Sequence, residues 1–239
     1  YKRQGVAGDN ALPNTAVAAL IQHNTSGIIS RKGEGMERPK GLEGKKYATW
    51  DAPIEKAMMQ NVVEKDGGDF SKVELIPSTV TDEVSALKSK SVDAIWIFYA
   101  WAGVATEVAD LETDYFAFKD INPVFDYYTP VVIANNDFLE EKPDTAKAFL
   151  QALKQGYEDA IADPDEAASI LLEASPELDE ELVKASQEYL KDQYKADVKQ
   201  WGYIDPARWN AFYGWLNENG LSEAELPENA GFSNDYLPE

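Results

Sequence analysis

Residues 42–55 read LEGKKYATWDAPIE, and the order of features in this stretch decides the fold. A glycine-bearing polar turn leads into a short strand, Tyr47-Ala48-Thr49, and Asp51-Ala52-Pro53 then opens a helix. Asp51 is the expected N-cap, and Pro53 falls in the first turn, where a missing N–H costs nothing. Ile54, Ala57, Met58 and Val62 follow at helical spacing until Gly67-Gly68 stops the run. Turn, strand and helix in that order begin a β–α–β unit.

The alternation continues downstream. Residues 73–76 read as a strand, 81–89 as a helix and 93–99 as a buried strand. A helix at 102–111 and strands at 115–118 and 129–134 follow. Upstream, residues 17–22 (VAALIQ) have a strand's length. Strands separated by helices predict parallel units with right-handed crossovers. From Lys142 the character changes: 144–161, 164–174, 179–194 and 206–219 read as helices begun by Asp or Ser near Pro, with no strand pattern between them. Residues 31–38 (RKGEGMER) read as an exposed loop.

Bulk properties narrow the function classes. The 239 residues are 44 % apolar and 27 % charged, which is ordinary globular composition. A net charge of -21, from 43 acids against 22 bases, repels nucleic acid and anionic lipid, so neither is an expected partner. Much of the excess falls on helix faces in the second half (Glu177, Asp179, Glu180, Glu181, Glu188, Asp192). Cysteine is absent and His23 is the one histidine. That removes thiol chemistry, disulfides and His- or Cys-rich metal sites. The longest apolar runs, such as 94–102, fall short of the roughly 20 residues a spanning helix needs. Tyr1 is an odd beginning, with neither a signal peptide nor a lipidated Cys, and the chain reads as trimmed.

Three stretches carry a family resemblance: ALIQHNTSG within 18–27, LEGKKYATWDAPIE at 42–55, and AIWIFYAWAGVATE at 94–107 followed by Asp126-Tyr127-Tyr128-Thr129-Pro130. Together they resemble the ThiY-type solute-binding proteins of the NMT1/THI5-like family. The resemblance implies an α/β, periplasmic-binding-protein-like (type II) two-lobed fold, with parallel sheets flanked by helices, closing on a ligand in its cleft. It implies residues 1–26 as a remnant of lobe 1 with the first crossing, 27–124 as lobe 2, and 125–239 as the second crossing with the helical remainder of lobe 1. Relatives carry further strands upstream, so lobe 1 is expected to be incomplete and to expose apolar sheet and helix faces. The function implied is that of an extracytoplasmic solute-binding component of an ABC importer. Its expected ligand is a thiamin-precursor pyrimidine, hydroxymethylpyrimidine or formylaminopyrimidine. The partners implied are that small molecule and an ABC transporter permease, with membrane attachment only through a lipid anchor and a monomeric state. No catalytic residue, metal or cofactor is expected.

A pyrimidine needs flat apolar walls and a few directed polar groups. Tyr99 and Trp101 stand where a predicted strand passes into a helix, and Trp50 stands at a second strand end of the same kind. For all three the other reading is ordinary packing. Thr49 adds a hydroxyl at the helix start. His23 and Asn24 at the first crossing, and Tyr127 at the second, are either ligand contacts or hinge hydrogen bonds. One position departs from the family pattern. The Glu expected four residues after the tryptophan matched by Trp101 is replaced by Ala105. The nearest acid, Glu107, is turned about 200° further round a helix.

Competing functions stay open beside this one. Sulfonate binding calls for basic residues, and only Lys56 lies beside the predicted site. Riboflavin is a second ring-compound alternative. A thiamin-pyrimidine synthase-like enzyme shares the fold, but that resemblance depends on a Cys-rich iron motif this sequence lacks.

Overall fold

The computed structural model describes residues 12–238. Seven strands are present among them: β1 (Asn14–Ala19), β2 (Ser26–Arg31), β3 (Lys46–Thr49), β4 (Glu74–Pro77), β5 (Ala94–Phe98), β6 (Thr113–Ala117) and β7 (Val131–Asn135). The helices are α1 (Pro53–Lys65), α2 (Glu83–Lys88), α3 (Val104–Val108), α4 (Phe118–Ile121), α5 (Asn136–Glu141), α6 (Pro143–Ala162), α7 (Pro164–Ala174), α8 (Glu180–Leu190) and α9 (Pro206–Glu218). The chain divides into two compact units. The first takes the residues up to Asn24, Val124–Pro176 and Gln187 onward; the second takes Thr25–Pro123 and Glu177–Ser186.

The second unit is built on a five-stranded sheet in the order β4-β3-β5-β2-β6. β3 pairs in parallel with β4 and β5, whereas β2 runs antiparallel to both β5 and β6. Four strands therefore point one way and β2 alone points against them. The sequence pattern predicted only parallel units and no strand at 26–31. Its blind spot was composition: β2 is buried at all six positions, yet only Ile28-Ile29 form an apolar run. Its last residue, Arg31, is buried because its guanidinium is answered on every side. It donates to Glu34 at 2.8 Å, to Asp93 at 2.5 Å and to the carbonyls of Leu87 and Val92 at 3.1 and 2.8 Å. Residues 31–38 are thus not a wholly exposed loop, and Met36 is buried as well. Ile29, Ala48, Leu87, Val92, Ile95, Ile97 and Ala102 form the core of this unit.

α1 buries Met58, Met59, Val62 and Val63, as its spacing predicted. Its cap is different from expectation. Asp51 sits in the left-handed region at φ 61° and its carboxylate pairs with Lys56 at 2.8 Å. The helix start is held instead by the fully buried Glu55, which accepts from the Ala52 N–H at 3.2 Å, the Tyr47 hydroxyl at 2.7 Å and the Thr49 hydroxyl at 3.0 Å. Burial, and then the Glu55 charge, push the Tyr47 pKa well above that of a free phenol.

In the first unit β1 and β7 form a two-stranded antiparallel sheet. β1 lies at 14–19 rather than 17–22, and its far side is met by single bridges to Gly202 and Phe232. The helical run starts earlier than its sequence pattern: Asn135 caps α5, Asp163 caps α7 and Asp205 caps α9. Val17, Ala18, Ile21, Leu139, Ala146, Leu150, Tyr194 and Trp201 make the core. Beside it, Val17, Val132, Phe138, Phe149 and Leu150 line an apolar hollow of about 350 Å³. Ile133 and Phe149 at its rim are 54 % and 56 % exposed. Apolar side chains of β7 and α6 are therefore exposed in this unit. Among the described residues no helix is long and apolar enough to cross a membrane.

Candidate ligand-binding site

Parallel pairing puts the carboxyl ends of β3 and β5 side by side. Because β2 runs the other way, its first residue, Ser26, joins the same edge opposite Phe98, and Gly27 pairs with Ala117 at the end of β6. Ligands of open α/β sheets sit outside the carboxyl ends of the strands. Three large rings emerge there: Trp50 after β3 is 50 % exposed, Phe98 at the end of β5 is 46 % exposed, and Trp101 is 43 % exposed. Such rings are normally withdrawn from water, and these three are grouped on one edge. Trp50 stands edge-on to Trp96 at 5.1 Å, and Trp96 packs on Phe118 at 4.2 Å.

Phe98 and Trp96 escaped the sequence reading, which treated 93–99 as uniformly buried. Alternation held the signal: Ile95 and Ile97 are buried, while Trp96 and Phe98 share the more open face.

Residues 99–103 form a π-helical turn instead of leading straight into the predicted helix, and α3 is only five residues long. π-turns of this kind recur at functional sites. Tyr99 packs its ring on Tyr115 at 4.7 Å, directly over Gly103, where an added Cβ would lie 2.5 Å from the Tyr99 ring. The Tyr99 N–H and the Tyr115 hydroxyl both donate to the Thr25 carbonyl, at 3.0 and 2.8 Å. Ser186 donates to the Ala100 carbonyl at 2.5 Å. The turn is thereby fixed from both sides, and the Tyr99 hydroxyl donates to Glu107. Glu107 lies two residues beyond the expected position, on α3. Thr49 is buried and uses its hydroxyl internally, donating to Glu55 and accepting from the Asp51 N–H at 2.9 Å. It shapes the turn that carries Trp50.

The first unit holds the remaining candidates. Asn24 is buried; its N–H donates to Asp126 and its side-chain amide to the Phe125 carbonyl, both at 2.8 Å. His23 faces Asp126 through Nδ1 at 2.6 Å and Asp197 through Nε2 at 3.0 Å. The hydrogen bond to Asp126, above all, raises the His23 pKa against the opposing effects of burial and Arg208. Tyr127 stacks on Phe212 at 4.2 Å with the rings 20° apart. Trp50, Tyr99, Trp101 and Glu107 are thus grouped on the second unit, and His23, Asn24 and Tyr127 on the first.

A family description, NMT1/THI5 like, matches residues 3–167. The chain belongs to the NMT1/THI5-like family. Within reach of this family membership, a formylaminopyrimidine-binding protein of Halalkalibacterium halodurans is 27 % identical over 241 residues, covering 95 % of this chain and 70 % of that protein. A 4-amino-5-hydroxymethyl-2-methylpyrimidine phosphate synthase of Saccharomyces cerevisiae is 22 % identical, covering 94 % of this chain and 67 % of that enzyme. Among solved structures, the sulfonate-binding protein SsuA of Methylobacillus flagellatus superposes with a TM-score of 0.65 at 15 % identity, over 93 % of this chain and 67 % of its own. The alkanesulfonate-binding protein SsuA of Xanthomonas axonopodis gives 0.65 at 13 % identity, over 94 % and 73 %. At such identities the NMT1/THI5-like chain shares their periplasmic-binding-protein fold, and the fold alone.

Proposed function

We propose that this chain is the solute-binding component of an ABC importer, working outside the cytoplasm on a thiamin-precursor pyrimidine. The observation that carries the reading is the edge of the second unit, where Trp50, Phe98 and Trp101 are exposed, with Tyr99 on the same turn as Trp101 and hydrogen-bonded to Glu107. Flat rings stack on a planar heterocycle, adding about 0.5–1.5 kcal/mol per aromatic pair beyond area burial. A carboxylate accepts at both oxygens, so Glu107 has lone pairs left for an N–H of an aminopyrimidine after receiving the Tyr99 hydroxyl. The identity with a formylaminopyrimidine-binding protein over 95 % of this chain supports the same ligand class.

A sulfonate fits less well. Lys56, the base in the segment that follows Trp50, is already paired with Asp51. A receptor is also preferred to a catalyst, since the sequence has no Cys and its one His is engaged by two carboxylates. A permease partner, lipid anchoring and a monomeric state belong to the same proposal.

Isothermal titration of the purified chain with hydroxymethylpyrimidine, formylaminopyrimidine, riboflavin and taurine tests it. Saturable heat with a pyrimidine and none with taurine is the expected result. Binding of taurine alone, or of none of the four, overturns the proposal.

A further inference from the structure

His23 stands at a junction of the chain. The polypeptide leaves the first unit after Asn24 and re-enters it at Val124. His23 and Asn24 are bound to Asp126 through two contacts, Nδ1 to one carboxylate oxygen at 2.6 Å and the Asn24 N–H to the other at 2.8 Å, and the Asn24 side-chain amide donates to the neighbouring Phe125 carbonyl at 2.8 Å. A third segment closes the arrangement. Asp197 lies 3.0 Å from Nε2, and Arg208 donates to the Gln22 carbonyl. The Arg208 guanidinium also lies 3.5 Å from Asp126 and 4.6 Å from the centre of the Tyr128 ring.

The chemistry of the ring decides its state. A neutral imidazole has one N–H, so it satisfies one carboxylate and turns a lone pair toward the other. Only the imidazolium donates to Asp126 and Asp197 together. The charged groups facing it are these two carboxylates and Arg208, with the Tyr128 phenol beside them. Protonated, the cluster has two positive and two negative charges. Deprotonated, it keeps one uncompensated negative charge and loses a donor.

We infer that His23 is a proton-operated clasp: as imidazolium it ties the departing and returning segments to the 197–208 stretch, and losing its proton loosens that joint. Its charge is retained because the Asp126 hydrogen bond raises the pKa above the ordinary 6.5. With a raised folded-state pKa, the clasp is fully closed below pH 6.5 and opens as pH climbs through the raised value. An effect on ligand retention rests on the receptor reading; the clasp itself does not.

The lone histidine makes the test direct. Long-range proton–nitrogen correlation spectra of the full chain, labelled at histidine, are recorded from pH 5.5 to about 9, with protection of the Asn24 amide followed in parallel. The expected result is an imidazole protonated at both nitrogens with a midpoint above 6.5. Asn24 protection, corrected for intrinsic exchange, then falls about tenfold across that midpoint. Asp197→Asn, at an exposed carboxylate, lowers the midpoint without threatening the fold. A neutral single tautomer at pH 6.5, or Asn24 protection unchanged through the titration, overturns the clasp. Hydroxymethylpyrimidine affinity measured over the same range separates the two ideas. A titrating clasp with no pyrimidine binding at any pH sinks the receptor reading and leaves the clasp standing.

Discussion

The Tyr99 hydroxyl is hydrogen-bonded to the Glu107 carboxylate, so this acid of α3 is held by a ring on the turn that carries Trp101. Tyr99 is in turn fixed by Tyr115, by Gly103 beneath its ring and by the Thr25 carbonyl. The pair is a polar contact positioned by aromatic packing, its tyrosine on the same turn as Trp101 and its carboxylate on α3.

Removing that carboxylate is expected to weaken pyrimidine binding more than it weakens folding. Glu107→Gln should lower affinity roughly 10- to 100-fold, the range for losing a hydrogen bond to a charged acceptor. Its thermal midpoint should stay near that of the parent, because Glu107 is exposed. Tyr99→Phe should lower affinity less, since the carboxylate remains. Calorimetric titration and thermal melts of both variants check the ordering.

Glu55 presents the opposite case, a carboxylate whose role is structural. It is fully buried and receives the Tyr47 and Thr49 hydroxyls and the Ala52 N–H. Glu55→Ala strands two buried hydroxyl donors and the half-buried Ala52 N–H, and should cost roughly 3 kcal/mol or more. Urea unfolding followed by circular dichroism measures this. A loss under about 0.5 kcal/mol, the usual scale for a surface change, contradicts the buried network.

Acid should loosen the second unit through Asp66. Its pKa is lowered chiefly by the Arg38 hydrogen bond, with the Lys40 N–H adding to the effect against desolvation. A depressed folded-state pKa means the contribution is present above the ordinary value of 3.8 and is lost as pH falls through the depressed one. Stability of the parent should therefore drop on acidification in this range, and Asp66→Asn should flatten part of that drop. Parallel pH-dependent melts test it; identical slopes for parent and variant count against it.

Much of the fold was legible because local signals agreed with it. The turn–strand–helix order at 42–55 and the Pro-led helices after Lys142 needed nothing beyond spacing and caps. β2 was hidden because a central strand with Ser26, Ser30 and Arg31 owes its burial to long-range partners such as Asp93, which no window of sequence contains. The Asp51 cap failed for a related reason. A buried acid three residues into the helix, Glu55, took the backbone donor, and its burial depends on Tyr47 from the preceding strand. Trp50, Trp101 and Tyr99 were placed after strand ends by local pattern alone, which is where the structure has them. Phe98 was lost by reading 93–99 as a buried run rather than an alternating one. The engagement of both His23 nitrogens by Asp126 and Asp197, more than 100 and 170 residues away, lies beyond any local pattern.

The apolar hollow beside β7 makes a separate statement about the first unit. Ile133 and Phe149 are more than half exposed there. A hydrophobic dye such as anilinonaphthalene sulfonate should bind this chain in its native state. Ile133→Thr with Phe149→Ser should reduce that fluorescence severalfold while shifting stability by only about 0.5 kcal/mol per site. Unchanged dye binding in the double variant would place the dye elsewhere.

The most direct test of the receptor account is tryptophan fluorescence of this chain titrated with hydroxymethylpyrimidine and formylaminopyrimidine, in parallel with Trp101→Ala. The account predicts saturable quenching by at least one pyrimidine and its loss, or a weakening of tenfold or more, in Trp101→Ala, with folding intact. Quenching that survives Trp101→Ala at unchanged affinity would contradict the assignment of the β3–β5 edge as the binding surface, and no response to either pyrimidine would contradict the ligand class.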